Sequence, residues 1–413
     1  MKIALISRWY WEESRLHHEN EDGGSAQQLA EAVAALGHEV VVLTQSPKVR
    51  KLKPFPIGKL ETWVSPRGKS RNLFSSLRDR LAKRRYVHNQ VNSDALFLRD
   101  FLKQRGPFDA IWAHAELPDG LTVAMAAKKG VKVPPMLLQV QALRYRFDKG
   151  VPVLTEKRPL DYAFRQASRI LVNSELVAGF IPSFAGPGHS IDDLRAKVRV
   201  VFPNLQRVIL EDATLRPDRP APMKDRVLYL GSLNRNKGAL VFLKAITKTE
   251  AAKRNSTFAV IGDFTEYDRA FIKVWEQAKE ATRVKLPGAR MEYLGRVSSL
   301  EVIRQIKLAR VVVIPPLFDA FSRGLVEALI LGRPVITTDK VGSSPLVAQY
   351  ESGIVIPPND PDALAHAIDA VLSPIVPFAD NAKHIGPQLV PQFSTDTIAP
   401  LIVYHLSRIT GQA

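Results

Sequence analysis

The 413-residue sequence predicts two doubly wound α/β domains, one following the other along the chain. Three observations carry that prediction. Short β-rich apolar runs alternate with helical patterns from end to end, as parallel βαβ units require. The length exceeds what one hydrophobic core organises and suits two. The alternation breaks once, around residues 204–225, where Pro217, Pro220 and Pro222 stand among scattered charges.

Taken in order, residues 2–7 predict the first strand. Residues 25–36 predict a helix, with apolar Leu29, Ala32, Val33 and Leu36 at helical spacing and Gly37 as its stop. Residues 39–44 follow as a strand, with further strands at 110–113, 135–140, 169–172 and 198–202. The aperiodic stretch 206–225 predicts a linker. Beyond it, strands are expected at 226–230, 257–261, 291–294, 311–314, 334–337 and 354–356, with helices between them. The predicted organisation is an N-terminal domain over 1–205, the linker, a C-terminal domain over 226–390, and a final helix in 391–413 that returns to the N-terminal domain. Ligand-facing loops at the carboxyl ends of the strands, and a cleft between facing domains, are the corresponding expectation.

Composition narrows the function classes. The chain is 46% hydrophobic and 24% charged, with a mean hydropathy of −0.07. Those values exclude disordered, collagen-like and small disulfide-stapled classes. The absence of cysteine excludes disulfides, thiolate metal sites and cysteine nucleophiles together. No apolar run approaches the ~18 residues of a membrane span. The N-terminal apolar run is too short for a signal peptide and meets Arg8 at once, so a cytoplasmic protein is expected.

The net charge of +17 is concentrated: residues 48–85 hold 13 Lys and Arg against only Glu61 and Asp79. Within that segment Leu73, Phe74, Leu77 and Leu81 have helical spacing, with the charges largely off their stripe. The pattern predicts an interfacial helix that meets an anionic membrane through Arg80, Lys83, Arg84 and Arg85, placing the protein peripherally on the inner face. A solvated helix packed down by the same leucines is the alternative. Nucleic acid is not expected, because the patch lacks interleaved aromatics or a groove-reading motif.

The most informative stretch runs from Pro315 to Ile336. A strand ends at Pro315, a loop crosses 319–322, and a helix begins with Ser322 at its N-cap and ends at Gly332 before Pro334. Apart from Arg323 and Glu327 that helix is apolar all round, which predicts burial. A buried carboxylate needs a hydrogen-bond partner, so Glu327 should have a dedicated one. The amides of 321–324 form a positive helix start suited to phosphate. Together with Asp319 leading in, this arrangement fits a sugar nucleotide. A glutamate satisfied by protein groups is the alternative.

The acid–seven residues–acid spacing of Asp319 and Glu327 resembles the signature of family-4 glycosyltransferases, with Asp in place of the commoner first Glu. Further motifs similar to that family occur in order along nearly the whole chain. They are Gly23-Gly24, residues 36–44, Leu171-Val172-Asn173-Ser174, Phe202-Pro203-Asn204, residues 229–238, residues 260–263, residues 293–297 and residues 359–364. The resemblance implies the GT-B fold, with two Rossmann-like domains, and transfer of a hexose from a nucleotide diphosphate donor with retained anomeric configuration. It implies a glycan or lipid-linked acceptor, as in bacterial envelope or exopolysaccharide synthesis, and the sugar nucleotide as co-substrate without metal or other cofactor.

Carried onto this chain, the resemblance implies that Glu327 holds the ribose hydroxyls and Asp319 touches the donor sugar. The backbone near Ala320, Phe321, Ser322 and Arg323 caps the diphosphate and Lys237 neutralises it; an ordinary exposed lysine is the alternative. Gly295 and Val297 flank the nucleobase, and Gly23-Gly24 lets backbone approach the diphosphate or acceptor. Two positions depart from the family. Ser232 stands where an arginine is usual, leaving Arg235 or Arg323 to supply the second cation. Gln141 stands where a histidine is frequent and cannot act as a general base, which makes His114 a candidate substitute or a structural strand-end histidine. An epimerase or hydrolase of the same fold, and a degenerate non-catalytic scaffold, are the rival readings.

Two other features point away from metal chemistry. Asp360-Pro361-Asp362 sits where it would open a helix. Adjacent His17 and His18, in a first loop that also holds Trp9 and Trp11, have poor chelating geometry compared with a helical i, i+4 pair.

Overall fold

The computed structural model describes residues 1–8, 10, 24–46, 50–54, 59–66, 93–141, 143, 145–148, 151–154, 157–185, 190–215, 223, 225–253, 255–264, 269–286, 288–373 and 378–412. Gly23, Trp9, Trp11, His17, His18 and the expected interfacial helix with Arg80, Lys83, Arg84 and Arg85 lie outside the described residues. The chain divides into two compact units, residues 1–204 with 395–413, and residues 205–394.

The first unit is built on a sheet of eight strands. Its centre is β1 (Lys2–Ile6), whose parallel neighbours are β2 (Glu39–Ser46) on one side and, on the other, the fifth strand, Ala110–Ala113. Beyond β2 come β4 (Glu61–Pro66) and, antiparallel to it at the edge, β3 (Lys53–Pro54). On the far side the order continues through β5 (Ala110–Ala113) to β6 (Met136–Val140), β9 (Ala167–Val172) and β10 (Val198–Val200). A separate antiparallel pair joins β7 (Tyr145–Asp148) to β8 (Val151–Leu154). The central strands are buried on both faces, which is why they appear in the sequence as continuous apolar runs.

Neither β3 nor β4 was predicted. Both lie within the basic segment 48–85, where flanking charge masks a short run in which Thr62, Val64 and Ser65 are buried. The helix Thr395–Thr410 belongs to this unit: Ile398, Ile402 and Leu406 share a core with Leu29, Ala30 and Val33 of helix Ser25–Ala35.

The second unit carries six strands, all parallel. They are β11 (Arg226–Leu230), β12 (Thr257–Ile261), β13 (Arg290–Gly295), β14 (Val311–Ile314), β15 (Val335–Thr338) and β16 (Gly353–Ile356), in the order β13-β12-β11-β14-β15-β16. The expected linker is corrected here. Residues Arg207–Leu215 form a helix of this unit, with Ile209 and Leu210 buried and Asp212 paired to the buried Lys307 on helix Ser299–Leu308. The boundary on the other side falls at Ser394, not 390.

One close approach sets the geometry of the loops above this sheet. Gly238 has φ +73° at the start of helix Ala239–Ile246, and a Cβ there would stand 1.9 Å from the carbonyl oxygen of Pro315. Only glycine lets the loop after β11 lie directly on the loop after β14. Gly37 has a comparable φ of +88° but nothing within 4 Å. Gly37→Ala should therefore cost about 1–2 kcal/mol, the left-handed penalty alone. Gly238→Ala should cost clearly more, read as a larger drop in thermal midpoint; equal drops would show that the backbone contact is not tight.

Candidate functional site

In the second unit the loops at the carboxyl ends of β11, β14 and β15 are cross-braced by hydrogen bonds. The buried Tyr229 hydroxyl lies within hydrogen-bond reach of the carbonyls of Ser232 (3.2 Å) and Lys237 (3.1 Å), which share its single proton, and the Lys237 amide donates to Asn234 Oδ1 at 2.8 Å. The Leu317 amide donates to the carbonyl of Asn236 at 2.7 Å, tying the β11 loop to the β14 loop. Asp319 is fixed on both sides: its amide donates to Lys340 O at 2.9 Å and its carbonyl accepts from the Gly342 amide at 3.0 Å. Thr338 Oγ1 donates to Pro316 O at 2.7 Å.

These braces bring together two of the expected residues. Lys237 Nζ and Asp319 Oδ2 are 2.6 Å apart, with side-chain exposures of 34% and 16%. The pair joins the residue expected at the diphosphate to the one expected at the donor sugar.

Glu327 lies on helix Arg323–Ile330, whose residues Leu325, Val326, Ala328, Leu329 and Ile330 are buried as predicted. The residue keeps some exposure, yet dense packing around its carboxyl pushes its pKa up to about 7, with the charge of Arg323 opposing. The alternative of a carboxyl satisfied by protein groups finds no support: among the described residues no hydrogen bond reaches this carboxyl. Ser322 occupies the N-cap position, but its side chain makes no cap bond; its carbonyl accepts from Ser343 Oγ at 3.3 Å. Ala320 and Phe321 are buried, with the Phe321 ring 6.0 Å from that of Phe393. Arg235 is exposed and Arg323 half-buried, flanking the helix start and the Lys237 loop in sequence.

Gly295 ends β13, and its carbonyl accepts from the Gly262 amide at 3.0 Å; Val297 is half-buried. Tyr293, part of the 293–297 motif but given no site role there, stands beside them, 42% exposed, its hydroxyl donating to Gly262 O at 3.3 Å. Burial and the nearby Asp263 and Glu276 raise its pKa. Asp360 caps its helix by accepting the amides of Asp362 (3.0 Å) and Ala363 (2.9 Å), and Asp362 pairs with Lys248 at 2.6 Å. That Asp-x-Asp is a helix start.

The first unit gathers a second group at the carboxyl ends of β1, β5 and β6. His114 is buried, its Nδ1 3.4 Å from Ser7 Oγ and its Nε2 3.5 Å from Gln141 Nε2, which donates to the His114 carbonyl at 3.1 Å. Gln141 is held in turn: its amide donates to Glu116 Oε2 at 2.9 Å, and its carbonyl accepts from Asn173 Nδ2 at 3.0 Å. Glu116 and Asp119, both buried, were not anticipated as part of this group. Asp119 Oδ1 accepts the Arg8 amide at 3.2 Å. Burial raises its carboxyl to about 8, against the amide and charge of Arg8 and with the nearby Glu116 adding to the rise. His114 and Gln141 are therefore together, but His114 is enclosed by protein groups.

Gly24 adopts an extended φ of −80°, so its backbone does not require glycine. Its role is to start helix Ser25–Ala35, which Ser25 ties to Asn204 by two bonds, Ser25 Oγ to Asn204 Oδ1 at 2.8 Å and Asn204 Nδ2 to Ser25 O at 3.2 Å.

Residues 224–374 match the family model described as glycosyl transferases group 1, and residues 23–191 match that of the glycosyl transferase 4-like domain. A glycogen synthase of Mycobacterium tuberculosis is 22% identical over 383 residues, covering 91% of this chain and 88% of that protein. Among solved structures, sucrose-phosphate synthase from Thermosynechococcus elongatus superposes with a TM-score of 0.72 at 18% identity, covering 100% of both chains. Anabaena HepE in complex with UDP-glucose gives 0.65 at 16% identity, covering 99% of this chain and 100% of that one. The two family models in succession, the two largely parallel sheets and these fold-level likenesses agree. The chain is a family-4 glycosyltransferase with the GT-B fold.

Proposed function

We propose that the protein moves a hexose from a nucleoside diphosphate donor to a hydroxyl of a glycan or lipid-linked acceptor, with retained anomeric configuration and without a metal. One observation carries the donor half of this reading. Lys237 meets Asp319 at 2.6 Å on braced loops, and eight residues beyond Asp319 the Glu327 carboxyl lacks a protein hydrogen bond among the described residues. In this reading Glu327 accepts the ribose hydroxyls, Lys237 and the helix start at Ser322–Arg323 hold the diphosphate, and Asp319 meets the sugar. The relative HepE, titled as a complex with UDP-glucose, supports a uridine donor.

Transfer forms a bond from the acceptor oxygen to the anomeric carbon on the face from which the diphosphate departs. The departing phosphate oxygen takes the acceptor proton. The protein contributes charge stabilisation and positioning. The basic segment 48–85, through Arg80, Lys83, Arg84 and Arg85, would bring the enzyme to anionic lipid where the acceptor resides. Flotation with anionic but not neutral vesicles, lost when those four become Glu, is the expected result; equal flotation with both would remove the membrane from the proposal.

Mass-spectrometric detection of the transferred sugar tests the reaction itself; release of free sugar or an epimerised nucleotide supports the rival enzyme class. For binding, Lys237→Ala should cost about 1.5–3 kcal/mol of nucleoside diphosphate affinity by calorimetry. Because Asp319 competes with phosphate for Lys237, Asp319→Asn should bind the sugar-free diphosphate more tightly than the parent. Parental affinity in both variants would rule out this phosphate site.

The Glu327 carboxyl gives a pH signature. Its folded pKa of about 7 lies above the ordinary value of 4.5, so the folded chain binds this proton more tightly than the unfolded one. That contribution is complete below pH 4.5 and is lost as pH rises through 7, at no more than about 1.4 kcal/mol per pH unit. Glu327→Gln should flatten the fall in thermal midpoint across this window while abolishing donor binding. An unchanged slope would mean the carboxyl ionises as it does in water.

A further inference from the structure

We propose that the first unit carries an anion site of its own, in which Arg169, Arg199 and Arg408 bind a phosphate monoester carried by a small soluble molecule or by a lipid headgroup. None of these residues belongs to the proposed donor site. The three side chains gather where helix Thr395–Thr410 packs on the last strands of the eight-stranded sheet. Arg169 lies on β9 and donates from Nη1 to His405 Nδ1 of that helix at 3.0 Å. Arg199 on the edge strand β10 stands opposite Leu171, and Leu171 shares a core with Ile402 and Leu406 of the helix. Alternate residues of a strand share a face, so Arg169 and Arg199 both lie on the helix side of the sheet. Arg408 follows His405 by three residues and is its neighbour on the next helical turn.

A buried histidine sets the geometry. Arginine has no acceptor, so His405 must accept on Nδ1, which requires that nitrogen to be unprotonated. Burial, and then the charges of Arg169 and Arg199, push His405 down to about 4, so the ring stays neutral. A buried, uncharged ring thus holds the Arg169 guanidinium in place without neutralising it. Among the described residues no carboxylate pairs with Arg169, Arg199 or Arg408. Burial and the like charge of Arg199 lower the pKa of Arg169; Tyr404 opposes the fall and Arg408 adds to it. Helix ends explain two of the three cations. Arg199 donates from Nη1 to the carbonyls of Ala196 (3.0 Å) and Val198 (2.6 Å) at the end of helix Ile191–Lys197, and Arg408 sits in the last turn of its own helix. They do not explain why Arg169 is held against both.

A phosphate monoester answers that arrangement. It carries about −1.5 to −2 charges near neutrality, and its oxygens match the paired N–H groups of several guanidinium ions. The Tyr404 side chain, 54% exposed and within electrostatic reach of Arg169, adds a hydroxyl donor. Arg199 also borders a shallow cleft of ≈ 320 Å³ along β10, whose acid, Glu175, forms no ion pair with it, so the body of the ligand has space. Arg169 lies in the amino half of β9, whereas Asn173, which holds Gln141, follows its carboxyl end. The phosphate therefore binds away from the His114–Gln141 group and takes no part in transfer.

Calorimetry of the full chain with inorganic phosphate tests this, in a Lys237→Ala background so that the proposed donor site does not contribute. Phosphate should bind, and adding Arg199→Gln with Arg408→Gln should weaken it about tenfold or more, as loss of charge-assisted hydrogen bonds implies. Arg408→Gln alone removes an exposed side chain without a hydrogen bond and should weaken binding severalfold, which keeps the test open if the double change does not fold. Flotation then separates the two sources, with phosphatidate vesicles compared against phosphatidylserine vesicles of equal charge. A preference for phosphatidate that the substitutions remove identifies a lipid headgroup. No preference, or one that the substitutions leave intact, identifies a soluble molecule. Absence of phosphate binding in the Lys237→Ala background, or binding that the arginine substitutions leave unchanged, would overturn the proposal.

Discussion

The contact of Gly238 with the carbonyl of Pro315 is the constraint on which the loops of the proposed donor site depend. It seats the loop after β11 on the loop after β14 and so brings Lys237 to Asp319 across 82 residues of sequence. The resulting ion pair is a third exposed on the lysine side, where solvent screening leaves such pairs worth at most about 1 kcal/mol. Its importance is therefore not as glue. The pair stores a positioned cation at a loop end, opposite an acid that a more highly charged anion can displace.

The two acids with raised pKa values divide the labour differently. Burial is the leading cause in both Glu327 and Asp119. Asp119 has one oxygen engaged by the Arg8 amide and sits in a wall of protein, which suits a fixed structural part. Glu327 has no bond from the protein among the described residues and retains some exposure, which suits a group that meets its partner only when a substrate arrives. The same desolvation thus accompanies a fixed joint in one unit and, in the proposed donor site, a binding group in the other.

The sequence showed most clearly what local physics controls. Strands such as Val311–Ile314 are buried on both faces and appear as unbroken apolar runs, and Gly332 with Pro334 marks where helix Arg323–Ile330 must end. The Asp319–Glu327 spacing was visible because both acids flank one helix start. What was missed depended on long-range closure. Helix Arg207–Leu215 buries only two residues and is followed by prolines, so its periodicity is faint. Strand β4 is hidden by the surrounding charge. Asp119 meets Arg8 across 111 residues, and no local pattern around Pro118 announces that meeting.

Lys237, Asp319 and Glu327 are proposed together as a nucleoside diphosphate sugar site. A crystal structure of the full chain soaked with UDP-glucose tests it most directly. The expected result is a diphosphate oxygen on Lys237 Nζ in place of Asp319 Oδ2, with the ribose hydroxyls donating to the Glu327 carboxylate. A nucleotide bound elsewhere, with the Lys237–Asp319 pair intact and Glu327 still untouched, would contradict it.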